Sequence, residues 1–412
     1  MKEFPSAVRL TLTMCVAEWF SMTGFAAYTS LLPQIQRDWE LSNSAAGLIS
    51  GIYFAGYMTA VPVLTSLTDR IDSRRVYLWA CISSCLGAAG FALYAEGLWS
   101  ALFFQFLIGF GLGGTYMPGL KMLADYLHGS AQSRATGFYT ASFGIGSSVS
   151  IATCGKLGIA FGWHWAFVFG AIGPVVAALL VTLGMPRGRT HPAHAAPPAL
   201  LDFRPVLKNR ATVGYILGYA VHNYELFGQR SWMVAFLVYC ASLQPADSPM
   251  LWSAATLAAV INMIGPVMSV SGNELALRFG RQRIIFTFMS LSGAVACLLG
   301  FTAALPWLLV FLIMCVHYGL MLGDSAALTS GAIASAPPEL RGASMAVYSL
   351  LGFTSALLSP LVFGAVLDIA GGNRSTVAWG FGFMSIGIFG LFAPLARLIY
   401  ERNRPALPPS AR

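Results

Sequence analysis

Apolar runs of about twenty residues follow one another along nearly the whole chain, parted by short clusters of charged and turn residues. As an α-helix rising 1.5 Å per residue, a run of that length crosses a hydrocarbon core of roughly 30 Å. Twelve such segments can be marked, near residues 9–32, 44–66, 76–95, 98–124, 135–160 and 163–184, then 212–240, 250–273, 284–303, 306–330, 343–367 and 376–399. The ten-residue alternation of a membrane β-barrel is absent from the sequence. Only 10% of the 412 residues are charged and 57% are hydrophobic. Soluble domains carry about a quarter charged residues, which leaves no room here for a sizeable soluble domain. The expected fold class is an all-α membrane protein with 12 transmembrane helices.

The net charge of +8 invites a nucleic-acid reading, but the position of the charges argues otherwise. With the N-terminus placed in the cytoplasm, 19 of the 24 Lys and Arg fall on the cytoplasmic side, from Lys2 and Arg9 to Arg404 and Arg412. Only Arg37, Lys156 and Arg374 fall outside, and Lys121 and Arg230 lie within helices. That asymmetry is the positive-inside bias of membrane loops. Both termini are therefore expected in the cytoplasm of a bacterial inner (plasma) membrane, with the lipid bilayer and no nucleic acid as partner. The apolar segment after Lys2 runs to about Leu32, too long for a signal-peptide core, so a retained first helix is expected.

Four segments follow: an N-terminal six-helix half (1–184), a cytoplasmic linker (185–211), a C-terminal six-helix half (212–402) and a disordered tail (403–412). The linker holds Pro186, Pro192, Pro197, Pro198 and Pro205 among basic residues, as a solvated connection would. His191 and His194 lie there with no further ligand beside them. The seven Cys all fall in apolar segments or at their ends and read as packing residues. No metal or other cofactor is expected, and no nucleophile motif suggests an enzyme.

The two halves repeat each other. Residues 17–25 read Ala-Glu-Trp-Phe-Ser-Met-Thr-Gly-Phe and residues 224–232 read Tyr-Glu-Leu-Phe-Gly-Gln-Arg-Ser-Trp. Glu18 matches Glu225 at an offset of 207 residues, Arg70 matches Arg278 at 208, and Arg134 matches Arg341 at 207. Six plus six helices in parallel repeat is an architecture for alternating access around a midplane site.

Between helices 2 and 3, Thr65-Ser66-Leu67-Thr68-Asp69-Arg70-Ile71-Asp72-Ser73-Arg74-Arg75 resembles the signature loop of the major facilitator superfamily, Gly-x-Leu-x-Asp-Arg-x-Gly-Arg-Arg. The second copy, Gly272 to Arg281, keeps Arg278, Gly280 and Arg281 but has Leu277 in place of the Asp. The resemblance covers essentially the whole chain and implies two pseudo-symmetric six-helix halves. It also implies that Asp69, Arg70, Arg278, Gly280 and Arg281 form gating loops, with Asp69 latching the halves in one state. Gln105 stands where many proton-coupled members carry Arg. Helix 5 lacks the Gly-Pro-x-x-Gly-Gly run of drug–proton antiporters. The Arg that nitrate carriers place in helices 2 and 8 is missing from both.

Polar residues inside spans are costly, by about 2.5 kcal/mol or more when charged, and mark working sites. His222, Glu225 and Gln229 share one face of helix 7. Arg230 lies five residues past Glu225, roughly 140° around the helix, so a direct bridge between them needs a local break. Glu18 sits about 15 Å deep in helix 1, at mid-membrane. The resemblance implies that helices 1, 4, 7 and 10 line the cavity, which adds Tyr116, Lys121 and His317. Glu18 and Glu225 are expected to exchange protons with help from His222, and Arg230 to hold an anion through its planar fork, with Lys121 and His317 beside it. The chain is thus expected to be a monomeric secondary transporter that imports a small organic anion with protons. Proton-antiport efflux of drugs or metabolites is the alternative within that class, and a transporter-like solute sensor the alternative outside it.

Overall fold

A computed structural model describes residues 6–68, 70–186, 203–247, 249–337 and 340–392. Each expected span is helical, and two are broken. Span 1 is α1 (Ala7–Ser21) and α2 (Ala27–Asp38), followed by α3 (Asn43–Leu67), α4 (Ser73–Tyr94), α5 (Leu98–Tyr126), α6 (Gly129–Phe161) and α7 (Trp163–Gly184). A short helix, α8 (Arg204–Lys208), precedes the second half: α9 (Arg210–Ser242), α10 (Ala254–Phe279) and α11 (Arg281–Leu299). Span 10 is α12 (Trp307–Leu322) and α13 (Ser325–Ser335), and α14 (Arg341–Ile369) and α15 (Thr376–Leu391) complete the order. Nine of the spans, with α12 and α13 taken together as one, are long and apolar enough to cross a membrane, among the described residues. The exceptions are the broken first span, the polar α9 and the short α15. Residues 187–202 of the linker, with His191 and His194, and the tail 403–412 lie outside the described residues.

Side-chain caps set several helix starts. Ser42, Asn209, Ser253 and Ser375 each accept from the backbone N–H three residues on, which satisfies a donor that the helix itself cannot. Loops stay short because glycines turn the chain: Gly162 (φ 89°) joins α6 to α7, and Gly280 (φ 95°) joins α10 to α11.

The break in span 1 has a packing cause. A Cβ on Gly173 of α7 would lie 2.2 Å from the Phe20 carbonyl oxygen and 1.9 Å from Thr23 Oγ1, so α7 and span 1 cross almost backbone to backbone. The groups freed by the break are bonded from α6. Ser150 Oγ donates to the Thr23 carbonyl (2.8 Å) and accepts from the Ala26 N–H (3.0 Å), and Cys154 Sγ adds a 3.3 Å bond to the same carbonyl. Non-helical backbone at membrane depth requires such partners. Cys154 therefore bonds as well as packs.

Arg9, Arg70, Arg74, Arg134, Arg210, Arg278 and Arg341 mark one end of the bundle, the basic end. Contacts between the halves run from mid-length to the opposite end. There Asp368 of α14 accepts from Asn43 N (3.0 Å), Asn43 Nδ2 (2.8 Å), Ser44 N (2.8 Å) and Ser44 Oγ (2.5 Å), so a carboxylate caps the N-terminus of α3 across the molecule. Below it α3 and α14 touch through glycine: added Cβ atoms on Gly47 and Gly51 would lie 2.1 and 2.2 Å from the Pro360 and Leu357 carbonyl oxygens. The α6–α10 seam is similar, with Gly155 against Ala255 and Gly144 against Pro266. Toward the basic end, Arg74 to Thr182 and Lys121 to Thr68 join helices within the first half, and Asn209 to Ser335 joins helices within the second.

Gly47→Val should push α14 off α3 and cost about 1–3 kcal/mol, read as a lower Tm of the detergent-solubilised protein. Gly137→Ala, at a helical position of α6 open to space, should instead raise Tm slightly.

Candidate functional site

The polar interior is built around α9. His222, Asn223, Glu225 and Gln229 are each no more than 3% exposed on it, so every one has been taken out of water and lipid alike. The carboxylate of Glu225 turns toward α11 and α12. One of its oxygens accepts a short hydrogen bond from Ser292 Oγ and lies 2.8 Å from His317 Nε2. The other imidazole nitrogen of His317, Nδ1, has no hydrogen-bond partner among the described residues. One turn earlier on α9, His222 Nδ1 lies 2.7 Å from a carboxylate oxygen of Asp324, at ion-pair distance although off the hydrogen-bond line. Asp324 sits in the break between α12 and α13. Gly272 faces that break so closely that a Cβ there would lie 1.8 Å from the Gly323 carbonyl oxygen. Two fully buried His–carboxylate pairs thus link α9 to the two parts of span 10.

Arg230 and Glu225 do not pair. The helical rotation between them sends each to a different, adjacent residue of α12: Glu225 to His317 and Arg230 to Tyr318. Arg230 Nε and Nη2 both donate to Tyr318 Oη, at 2.9 and 2.7 Å. The guanidinium also lies 5.7 Å from the Phe227 ring centroid and 5.9 Å from that of Tyr318, within cation–π range. Among the described residues no carboxylate comes within 4.0 Å of it.

Beyond Tyr318 the bonding continues into the first half. Tyr318 Oη donates to Asn262 Oδ1 of α10 (2.5 Å), and Asn262 Nδ2 donates to Ser147 Oγ (2.7 Å) and Ser148 Oγ (2.8 Å) of α6. Both serines pass their own protons to the Gly144 carbonyl.

Arg230 opens on a small cavity between the halves. Its other walls are Phe25, Tyr28 and Thr29 of span 1, Ser50, Tyr53 and Phe54 of α3, Gln105 of α5, and Phe227 and Ser231 of α9. Phe25 belongs to the span 1 break, so the break helps shape this wall. Phe54 and Phe227 meet across the halves with centroids 4.2 Å apart.

Glu18 does not join this group. It is fully buried inside the first half, where one oxygen accepts from Tyr139 Oη (2.8 Å) and Ser21 Oγ (3.3 Å) and the other has no hydrogen-bond partner among the described residues. Tyr116 stacks on Tyr139, with centroids 5.6 Å apart. Lys121 lies near the basic end, bonded to the Thr68 carbonyl (3.1 Å) and 3.7 Å from Asp125. Of the proposed loop residues, Arg70, Arg278 and Gly280 are exposed at the basic end and Arg281 is half-buried there, while Asp69 lies outside the described residues. Sequence reasoning passed over Asn262, Ser147, Ser148, Ser292 and Asp368. Asn262 had a signal, as the lone amide between Ala254 and Pro266 in a run of apolar and small residues. A serine in a span carries none, because it can bond its own helix.

The Major Facilitator Superfamily model matches residues 14–360. The chain belongs to this superfamily. Among individual proteins, it is 26% identical over 180 residues to the niacin transporter NiaP of Acinetobacter baylyi, an alignment covering 42% of this chain and 40% of the relative. The chain spans about two fifths of the length of the first curated relatives it matches. It is 20% identical to the probable galactarate/D-glucarate transporter GudP of Bacillus subtilis, over 90% of this chain and 88% of that one. The superfamily fold is matched by the crystal structure of a bacterial homolog of the human lysosomal transporter Spinster, in an inward-facing and unoccupied conformation. There the TM-score is 0.75 at 16% identity, covering 98% of this chain and 100% of that one.

Removing His222 leaves the Asp324 carboxylate buried and uncompensated. His222→Ala should therefore cost about 3–5 kcal/mol, and the double variant His222→Ala/Asp324→Asn should recover much of it in a Tm measurement.

Proposed function

We propose that this chain is a secondary transporter of a bacterial plasma membrane that imports a small organic carboxylate together with protons. The single observation that carries the reading is Arg230, a guanidinium with no carboxylate within reach among the described residues, facing an aromatic-walled cavity between the two halves. Arg230 is half-buried. A cation partly withdrawn from water without a counter-ion is costly, and a solute carboxylate would supply one through two parallel hydrogen bonds. Niacin and glucarate, the solutes in the names of two relatives, are both carboxylic acids. The basic end is the cytoplasmic one on this reading, with both termini there, and the bundle is closed on the outer side. The halves 1–184 and 212–402 are the bodies that move against each other, and the transporter works as a monomer.

Coupling belongs to the His–carboxylate pairs of the second half. Each pair can hold one proton or two, and its net charge changes from zero to plus one between the two states. Glu225 and His317 share α12 with Tyr318, the partner of Arg230, so a charge change there acts beside the anion anchor. Glu18, held by Tyr139 and Ser21 within the first half, serves to brace span 1 against α6.

Binding of niacin and of D-glucarate to the purified protein, followed by flux in proteoliposomes with an imposed pH gradient, tests this reading. Arg230→Gln should weaken binding of the solute by at least about tenfold, the value of losing a charge-assisted hydrogen bond. Undiminished binding would sink the assignment. Glu225→Gln should retain binding and exchange but lose the response of uptake to the pH gradient, whereas Glu18→Gln should keep that response.

A further inference from the structure

We propose that Tyr318 and Asn262 transmit anion binding at Arg230 to the seam between α6 and α10, so that a solute carboxylate unlocks the outer end by taking Arg230 from Tyr318. This deepens, and rests on, the reading of Arg230 as the anion anchor.

The bonds form one directed chain across four helices. Arg230 gives two N–H groups to the Tyr318 oxygen, Tyr318 gives its O–H to Asn262, Asn262 gives its N–H groups to Ser147 and Ser148, and these close on the Gly144 carbonyl. Every donor has one sense, so the cation at the head polarises each link after it. Tyr318, Asn262, Ser147 and Ser148 are all at most 4% exposed, where such polarisation is least damped by water. The last link lies in the other half. On either side of it the seam is apolar, Gly144 against Pro266 and Gly155 against Ala255, so Asn262 is the polar fastening between them.

Two donors of the Arg230 fork converge on one phenol oxygen. A carboxylate presents two oxygens to the same edge and carries a full charge, so it replaces Tyr318 there. Tyr318 then loses the cation that polarised its O–H, and the bonds through Asn262 to α6 weaken. A solute moves a conformational equilibrium only as far as it binds one state better than the other. The chain supplies that difference: in the closed state the solute competes with Tyr318 for Arg230, and in the open state it does not. Tyr318 and Asn262 are positioning residues on this account, because neither has to bind the solute itself.

Spin labels carried by non-canonical residues at Asp38 and Arg374, exposed positions at the outer end of opposite halves, report the gate while the native cysteines stay in place. Distances are measured in nanodiscs, without solute and with saturating niacin. Tyr318→Phe, Asn262→Ala and the mild pair Ser147→Ala/Ser148→Ala should each raise the ratio of long to short distances by about two- to tenfold without solute. Combining Asn262→Ala with the serine pair should add nothing further, since one chain is already cut. Niacin should shift the unsubstituted protein in the same direction and leave Asn262→Ala where it is. Tyr318→Phe should bind niacin at least as tightly as the unsubstituted protein, a split between affinity and gating that a general loss of stability does not produce. An unchanged distance distribution in all three variants, or effects that simply add, overturns the proposal. Gate opening by the variants, with neither niacin nor D-glucarate bound by the unsubstituted protein, upholds the fastening and overturns the anion reading of Arg230.

Discussion

Hydrocarbon offers no hydrogen bonds, so a polar group brought to membrane depth is stabilised by a partner within the protein. That constraint organises this interior. Where span 1 breaks, Ser150 and Cys154 of α6 take over the bonds of Thr23 and Ala26. Where α9 carries three ionisable side chains within about two turns, His222, Glu225 and Arg230, span 10 answers with Asp324, His317 and Tyr318. Arg230 has no carboxylate within 4.0 Å among the described residues. Two aromatic faces and a phenol oxygen hold it, and none of them carries the opposite charge.

The duplication is kept in the scaffold and abandoned in the chemistry. Glu18 and Glu225 occupy matching places on spans 1 and 7. One is bonded by a tyrosine of α6 in the first half, the other by a serine and a histidine of α11 and α12 in the second. Thr23 stands opposite Arg230 and Cys15 opposite His222. The first half accordingly buries its carboxyl among tyrosines and thiols, while the second assembles a cation and two His–carboxylate pairs. The cavity between the halves is therefore asymmetric, with Arg230 on the second half and most of the other lining residues on the first.

At the end opposite the basic one, the halves meet through close contact rather than apolar bulk. Glycines at 47 and 51 bring α3 and α14 to backbone distance, and Asp368 then reaches two N–H groups at the start of α3. Bonds of that kind are lost together when the helices separate by a few ångströms.

Length and polarity of the apolar runs were enough, in the sequence, to define the helical spans, the basic end and the 207-residue repeat, since each follows from local composition and the bilayer thickness. The family likeness was legible for the same reason, and so were Glu225, His222 and Arg230, because a charge in a span is conspicuous anywhere. The partners were not. That Glu225 meets His317, that Arg230 meets Tyr318 and that Glu18 turns away into its own half depend on how α9 is rotated against α12 and how α1 is rotated against α6. Those rotations are settled by side-chain fit over tens of residues, including glycines such as Gly47 and Gly272 whose role is to let another backbone approach. Asn262 shows the limit most clearly: its sequence signal is one amide, and only the packing of α10 against α6 gives that amide the serines of the other half.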